Sequence, residues 1–462
     1  MRVPGLDRQR LDQLVERLAR LLAQLFFQRV EVEGRERIPE GVPLVVVANH
    51  HNSLVDPLLL FATLGVHPRF LAKSTLWELP LIRNLLDLAG AIPVYRRQDE
   101  GVDRTQNDAT FARCFDELWA GGAVALFPEG ISHDAPRLAP LKTGAARIVL
   151  GAAEARGVTS TQILPVGLTF DEKAIFRSRV LVRIGEPLEA SPWIRAAASD
   201  PRDAARSLTD AIAHALSRVT LNYPSLEEAS LLDRASELFA AREKELPARL
   251  ALAEAFALRR RAIELYERLH ARDPARARSV LARLRAYADR IEALGLRDDH
   301  VAARYPRREV LAYVVGSGAL LLWWLPLAAL GTLFNWIPYR LLGVAAGRAR
   351  SRDLPATVKL FGGFFLFPIA WLAWSVLAGL SFGTGAAFAT LFLAPATGWY
   401  AMRFQERYEH FFEHAIAYLR VKLQRRTVAE LRAEREALRG EVSELAQRSA
   451  EADETKQTER EG

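Results

Sequence analysis

A single cysteine in 462 residues excludes an internal disulfide, and no Cys/His cluster has the spacing of a metal site, so no metal is expected. Cys114 lies among helix-spaced apolar residues in Phe111-Ala-Arg-Cys-Phe-Asp-Glu-Leu118. That setting predicts a buried thiol, with no histidine nearby in sequence to activate it. The chain also lacks a G-x-S-x-G elbow, which argues against a serine nucleophile. Met1-Arg-Val-Pro4 lacks the apolar core of a signal peptide, which points to a catalytic domain facing the cytosol. Charge is not segregated by sign. The net +7 is spread over interspersed arginines and glutamates, the pattern of a solvated surface. No motif supports a nucleic-acid partner, and an anionic membrane surface suits the basic excess better. Length argues against one compact core and for two or three units.

What the chain does have is an ordered set of short motifs in its first half. The β-branched run Val42-Pro-Leu-Val-Val-Val-Ala48 reads as a buried strand. It delivers Asn49-His50-His51, and a helix start follows at Asp56-Pro57. A histidine and a carboxylate a few residues apart at a strand mouth are what a general-base pair needs. The imidazole accepts a proton from an attacking hydroxyl, and the carboxylate fixes its tautomer. Asp56 before Pro57 is equally the pattern of a plain helix cap, so the pair alone is weak. Three further blocks follow it: Gly90-Ala-Ile-Pro-Val-Tyr-Arg96-Arg97, Phe127-Pro128-Glu129-Gly130 and Ile163-Leu-Pro165-Val166-Gly167.

Around these blocks strands and helices alternate. Val30–Val32, Leu44–Ala48, Arg69–Ala72, Ile92–Tyr95, Ala123–Phe127, Ile163–Leu168 and Val180–Ile184 read as strands. Leu79–Leu88, Arg104–Trp119 and Thr143–Arg156 read as helices. This predicts an α/β domain over 29–200 with a mostly parallel central sheet flanked by helices, and sites at the strand ends. Before it, Leu11, Leu14, Leu18, Leu21, Leu22 and Leu25 recur at helical spacing among arginines. That makes 1–28 an amphipathic helix, whose basic face favours a membrane interface.

These four blocks resemble the glycerolipid acyltransferase family, enzymes that esterify glycerol 3-phosphate, its acyl derivatives and related lysophospholipids. The resemblance runs from about Arg29 to Leu188. It implies His51 as general base with Asp56 as its partner, and Arg96 as the contact to the acceptor phosphate. It also implies that Glu129 and Gly130 shape the acceptor site and that Pro165 lines the acyl side. Glu129 would bond glycerol hydroxyls or orient a basic residue. The commonest third block has a basic residue soon after Glu-Gly, whereas this chain reads Ile131-Ser132-His133-Asp134. Lys142 or Arg137 would supply the missing contact. The Ser-His-Asp ending resembles the membrane glycerol-3-phosphate/dihydroxyacetone-phosphate acyltransferase subgroup. The implied reaction moves an acyl group from acyl-CoA or acyl carrier protein to a phosphorylated glycerol acceptor, without a cofactor. A 1-acylglycerol-3-phosphate acyltransferase is the alternative, and a non-catalytic membrane lipid-binding adaptor is another.

The second half changes character. Residues 201–305 read as a helical connector, with Asp203–Thr220 as one helix and breaks at Pro247 and Pro274. Val310–Tyr339 and Leu360–Met402 are uncharged, at about 30 and 43 residues against about 20 for one spanning helix. This predicts a C-terminal transmembrane helical region over 306–403, and so a multi-pass membrane protein in contact with membrane lipid. If all basic clusters are cytosolic, the stretch interrupted by Pro326 is a bent or re-entrant hairpin, the second is a full one, and both long ends lie in the cytosol. Residues 404–462 read as a charged helical tail. Its seam is too sparse for a coiled coil, and its end, from Arg448, is expected to be disordered.

Overall fold

The computed structural model describes residues 7–461 apart from 79, 96–105, 174, 241–249 and 350–353. Contacts divide the chain into two units, one of residues 1–222 with 346–360 and one of 223–345 with 361–462.

The first unit runs α1 (Arg8–Phe26), β1 (Arg29–Glu33), β2 (Leu44–Ala48), α2 (Val55–Thr63), β3 (Arg69–Lys73), α3 (Pro80–Leu88), β4 (Ile92–Val94), α4 (Asn107–Trp119) and β5 (Ala123–Leu126). It continues through α5 (Gly144–Arg156), β6 (Gln162–Phe170), β7 (Arg179–Ile184), β8 (Leu188–Glu189), α6 (Ser191–Ala197) and α7 (Pro201–Val219). The sheet order is β1-β7-β6-β2-β5-β3-β4, with β8 paired to β6. β2 lies between β5 and β6, parallel to both. β7 and β8 pair antiparallel with β6, and β1 runs parallel to β7, so the sheet is mixed, with most of its pairings parallel. All five residues of β2 are buried, as a central parallel strand covered on both faces requires.

Helix α7 contributes Leu208, Ile212, Leu216 and Val219 to the same core as Val45, Val124 and Ile163. The first unit therefore runs past the expected boundary at 200. Helix α1 also belongs to it. Ala19, Leu22, Ala23 and Phe26 are buried, α1 packs on α2, and the Arg177 guanidinium donates to the carbonyls of Gln24 and Phe27 at its end. Leu14, Leu21 and Leu25 stay exposed.

The second unit is helical: α8 (Leu226–Ala240), α9 (Leu252–Arg272), α10 (Pro274–Ala293), α11 (Asp298–Ala302), α12 (Arg307–Gly347), α13 (Leu354–Phe382), α14 (Thr384–Leu423) and α15 (Arg425–Glu461). Val428, Leu431, Leu438, Val442 and Leu445 form a seam on α15 that packs with Val280, Leu284 and Ile291 of α10. Arg435 sits within that seam and forks onto the Asp298 carboxylate at 2.9 Å. The seam is thus fuller than its leucines alone suggested.

Helix α15 runs to Glu461 in an Ala-, Glu- and Arg-rich stretch of high helix propensity. One expectation is corrected. Helix α12 is one helix of 41 residues with Pro326 and Pro338 inside it, not a bent hairpin. Each proline removes one backbone hydrogen bond, and the residues around it keep the helix running through both positions. The expected break at Pro247 lies outside the described residues.

Candidate active site

The site grows from the carboxyl ends of adjacent strands. β2 delivers Asn49-His50-His51, its neighbour β5 delivers Phe127-Pro128-Glu129-Gly130, and β6 lies on its other side. Asn49 fixes the first of these turns. Its amide donates to the Leu168 carbonyl at 3.0 Å and accepts from the Leu168 N–H at 2.7 Å, extending the β2–β6 pairing by one side chain.

Asp56 lies in the first turn of α2, fully buried, where the helix N-terminus favours negative charge. One carboxylate oxygen accepts from the backbone N–H groups of His51 at 2.8 Å and Asn52 at 2.7 Å, and from His50 Nδ1 at 2.9 Å. The imidazole beside Asp56 is therefore that of His50, which also stacks on Phe127 with ring centroids 4.0 Å apart. Asp56 holds His51 through its main chain.

The His51 side chain has a different partner. Its Nδ1 lies 3.0 Å from the His133 carbonyl oxygen. A carbonyl can only accept, so Nδ1 carries the proton and Nε2 keeps its lone pair. Burial pushes the His51 pKa below the ordinary imidazole value. The hydrogen bond to His133 and the charges of Asp56 and Glu129 oppose that shift without cancelling it. The ring is thus a neutral base whose free nitrogen is defined.

Glu129 organises the opposite wall. It is 2% exposed, and its two oxygens accept from the His50 N–H at 2.9 Å, the Ala139 N–H at 2.7 Å and His133 Nε2. His133 Nδ1 accepts from the Ala135 N–H at 3.1 Å, so its proton resides on Nε2. Glu129 thereby ties the His133 ring to the backbone of the His50-His51 turn.

Gly130 has φ +73°, and a Cβ there would lie 2.6 Å from Lys142 Nζ and 2.8 Å from its Cε. The left-handed turn calls for glycine, and the flexible end of the Lys142 side chain lies alongside it. Lys142 is exposed. Pro165 is buried in β6, opposite Val47 of β2. Arg96 and Arg97 lie outside the described residues.

Three residues of the site escaped the motif reading. Asn49 is one. Asn52 is another, 1% exposed, with its amide donating to the Lys173 carbonyl at 2.8 Å. The third is Lys173, whose ammonium lies 3.4 Å from the His51 carbonyl oxygen and pairs with Asp134. Only the asparagines flanking His50-His51 hinted at this in sequence. Cys114 is fully buried, and burial raises its thiol to about 12, so it is an inert core residue. Among the described residues, His410, Glu413 and His414 on α14 have potential ligand atoms within 4.8 Å of one another, a spacing the sequence reading overlooked. The Arg297 guanidinium already engages Glu413.

Residues 29–169 match the acyltransferase family model, and residues 233–450 match the model of the glycerol-3-phosphate acyltransferase 2 C-terminal domain. Glycerol-3-phosphate O-acyltransferase 2 of Saccharomyces cerevisiae is 26% identical over 295 residues, covering 60% of this chain and 39% of that protein. An uncharacterized acyltransferase of Schizosaccharomyces pombe is 24% identical over 456 residues, 77% of this chain and 67% of that protein. A chloroplastic 1-acyl-sn-glycerol-3-phosphate acyltransferase of Arabidopsis thaliana is 29% identical over 170 residues, 36% of this chain and 45% of that protein. The chain thus spans about two fifths of the length of its Saccharomyces relative.

Proposed function

We propose that this chain, which belongs to the acyltransferase family and carries a C-terminal region of the glycerol-3-phosphate acyltransferase 2 type, transfers a fatty acyl group from an acyl thioester to a hydroxyl of glycerol 3-phosphate or dihydroxyacetone phosphate. The observation that carries this reading is the neutral His51, with Nδ1–H fixed on the His133 carbonyl and Nε2 left as the base.

Nε2 takes the hydroxyl proton as the alcohol oxygen attacks the thioester carbonyl carbon. The tetrahedral intermediate collapses by breaking its C–S bond, and the thiolate leaves with the proton returned by the imidazolium. A thiolate leaves easily, so no strong acid and no covalent enzyme intermediate are required. In this scheme Asp56 and Glu129 are positioning residues that hold the backbone of His50-His51 from two sides. Arg96 and Lys142 would meet the acceptor phosphate, and Pro165 would line the acyl side. Acyl-CoA and acyl carrier protein are both suitable donors.

One specific observation favours a second assignment of the base. His50, not His51, makes the side-chain contact to Asp56, so an Asp56–His50 pair is the competing dyad. For the acceptor, 1-acylglycerol 3-phosphate is the alternative, in keeping with the name of the Arabidopsis relative.

Membrane attachment is part of the proposal. Arg308–Gly347 and Leu354–Phe382 are long and apolar enough to cross a bilayer. Leu322, Trp323, Leu372, Leu380 and Phe392 are exposed on these helices and α14, an apolar surface that water does not favour. The guanidiniums of Arg403 and Arg407 lie 5.2 and 5.3 Å from the Trp399 and Trp324 ring centroids, an arrangement suited to the headgroup level.

The test is an acceptor panel on purified protein with labelled acyl-CoA. Transfer to glycerol 3-phosphate or dihydroxyacetone phosphate, lost in His51→Ala, is the expected result. Transfer to lysophosphatidate alone would move the chain to the alternative acceptor, and no transfer to any acceptor would favour the adaptor reading.

A further inference from the structure

The loop after β6 brings a cation to the site that the motif blocks do not contain. Lys173 is held at both ends. The buried Asn52 amide grips its carbonyl at 2.8 Å, and its ammonium approaches the His51 carbonyl oxygen at 3.4 Å while pairing with Asp134. The lysine side chain is 25% exposed and that of Asp134 31%, so the pair sits at the edge of the site, shielded but reachable. His133 cannot take the same part. Both its ring nitrogens are committed, to Glu129 and to the Ala135 N–H, and with its one proton on Nε2 the ring is neutral.

We propose that Lys173 binds the phosphate monoester of the acceptor and that Asp134 occupies its ammonium until the phosphate displaces it. This rests on the acyl-transfer reading above and adds to it a recognition residue outside the four blocks. A phosphate monoester near neutral pH carries close to two negative charges, against one for a carboxylate, and has three acceptor oxygens, so exchange of partners is electrostatically downhill. The Asn52 and His51 contacts keep the ammonium beside the base through that exchange. The acceptor is then fixed at its phosphate while its hydroxyl is presented to Nε2, the positioning that intermolecular acyl transfer requires.

The alternative is a latch, in which the Lys173–Asp134 pair merely ties two loops together. The two ideas give opposite signs for Asp134→Asn. Full-length protein in detergent would be assayed with labelled acyl-CoA as wild type, Lys173→Ala, Lys173→Arg and Asp134→Asn. Phosphate binding predicts that Lys173→Ala raises the KM for glycerol 3-phosphate about ten- to a hundredfold, as loss of a charge-assisted hydrogen bond does, with the KM for acyl-CoA unchanged. Lys173→Arg should recover most of that loss, and Asp134→Asn should lower the acceptor KM. Equal damage to both substrates in Lys173→Ala, with Asp134→Asn damaging alongside it, would establish the latch and overturn the proposal.

A second readout does not depend on turnover. Acetylation of Lys173 by acetic anhydride, followed by peptide mass, should be slowed by glycerol 3-phosphate and not by glycerol. Wild-type transfer without that protection and with an unchanged acceptor KM in Lys173→Ala would overturn the phosphate assignment alone. Protection without transfer to any acceptor would uphold it and sink the acyl-transfer reading.

Discussion

The Nδ1 atom of His51 lies 3.0 Å from the backbone carbonyl oxygen of His133, so the third block sets the tautomer of the residue that the first block supplies. The expected carboxylate is close by but acts on the main chain. Asp56 accepts from the N–H groups of His51 and Asn52 and from the His50 ring. Two adjacent histidines thus present a free Nε2 each, one backed by a carbonyl and the other by a carboxylate.

Single substitutions separate them. His51→Ala should lower kcat by about a hundred- to ten-thousandfold, the usual worth of a general base, with the fold and membrane association intact. His50→Ala should cost far less, because it removes a ring stacked on Phe127 and leaves the His51 Nδ1 contact in place. Asp56→Asn should be intermediate, since an amide oxygen in that position can still accept both N–H bonds but brings no charge to the His50 ring. The reverse order, with His50→Ala dead and His51→Ala active, would transfer the proton to the Asp56–His50 pair.

The pH profile offers a second check. Burial lowers the His51 pKa, and catalysis needs the unprotonated ring. The acid limb of kcat/KM should therefore fall below the ordinary imidazole value of about 6.5. The linked effect on stability follows from the same depressed pKa. The unfolded chain binds this proton more tightly than the folded one. Stability from this group is thus complete above the ordinary imidazole range and declines as the pH drops towards the folded pKa. An acid limb at or above the free imidazole value would contradict the geometry.

Much of this was legible in the sequence because the signals are local. Leu44–Ala48 reads as a buried strand from its β-branched run, and it is β2 to the residue. The same holds for the Phe-Pro-Glu-Gly turn at the end of β5. What stayed hidden depends on contacts between residues far apart in sequence. Asn52 meets Lys173 in the loop after β6, and Asn49 meets Leu168 on β6 itself, across stretches of sequence that no periodicity connects. The Asp56–His51 spacing suggested a side-chain pair, whereas the turn at Ser53, with φ +46°, directs the contact to the main chain. Pro326 was read as a break because local propensity ignores the apolar setting in which helix α12 persists.

Glu129 should prove structural in its effect. Its oxygens hold the His50 N–H, the Ala139 N–H and the His133 ring. Glu129→Gln would turn an NH2 group towards one of these donors. That should cost about 1–3 kcal/mol, the penalty for leaving a buried polar group unpaired, visible as a lower Tm. Activity should fall for acceptor and donor together. A selective rise in the KM for the acceptor, at unchanged Tm, would instead put Glu129 in contact with the substrate.

The C-terminal helices make a topological prediction. Val280, Leu284 and Val301 before the apolar region share one core with Ala417, Val428 and Leu431 after it. If these helices enter a bilayer, the chain must cross it an even number of times between Ala303 and Ala417, because both sides of that core face the same compartment. Helices α12 and α13 are the two segments of spanning length, and α12 also packs antiparallel on α14. Tyr313 stacks near Phe411 and Trp324 near Tyr400, and the Asn335 amide donates to the Ala394 carbonyl at 3.2 Å. Gly331 admits the α14 backbone so closely that a Cβ there would lie 2.0 Å from the Thr397 oxygen, the small-residue approach typical of helices in lipid. Carbonate should therefore fail to extract the protein, and detergent should succeed. On a Cys114→Ala background, cysteines placed at Arg272 and at Glu430 should be labelled from the same face of sealed vesicles. Labelling of Arg272 and Glu430 from opposite faces would dissolve the shared core itself. Gly331→Leu should wedge α12 from α14 and lower the detergent-solubilised Tm, whereas Gly343→Leu, where a Cβ meets nothing within 4 Å, should be tolerated.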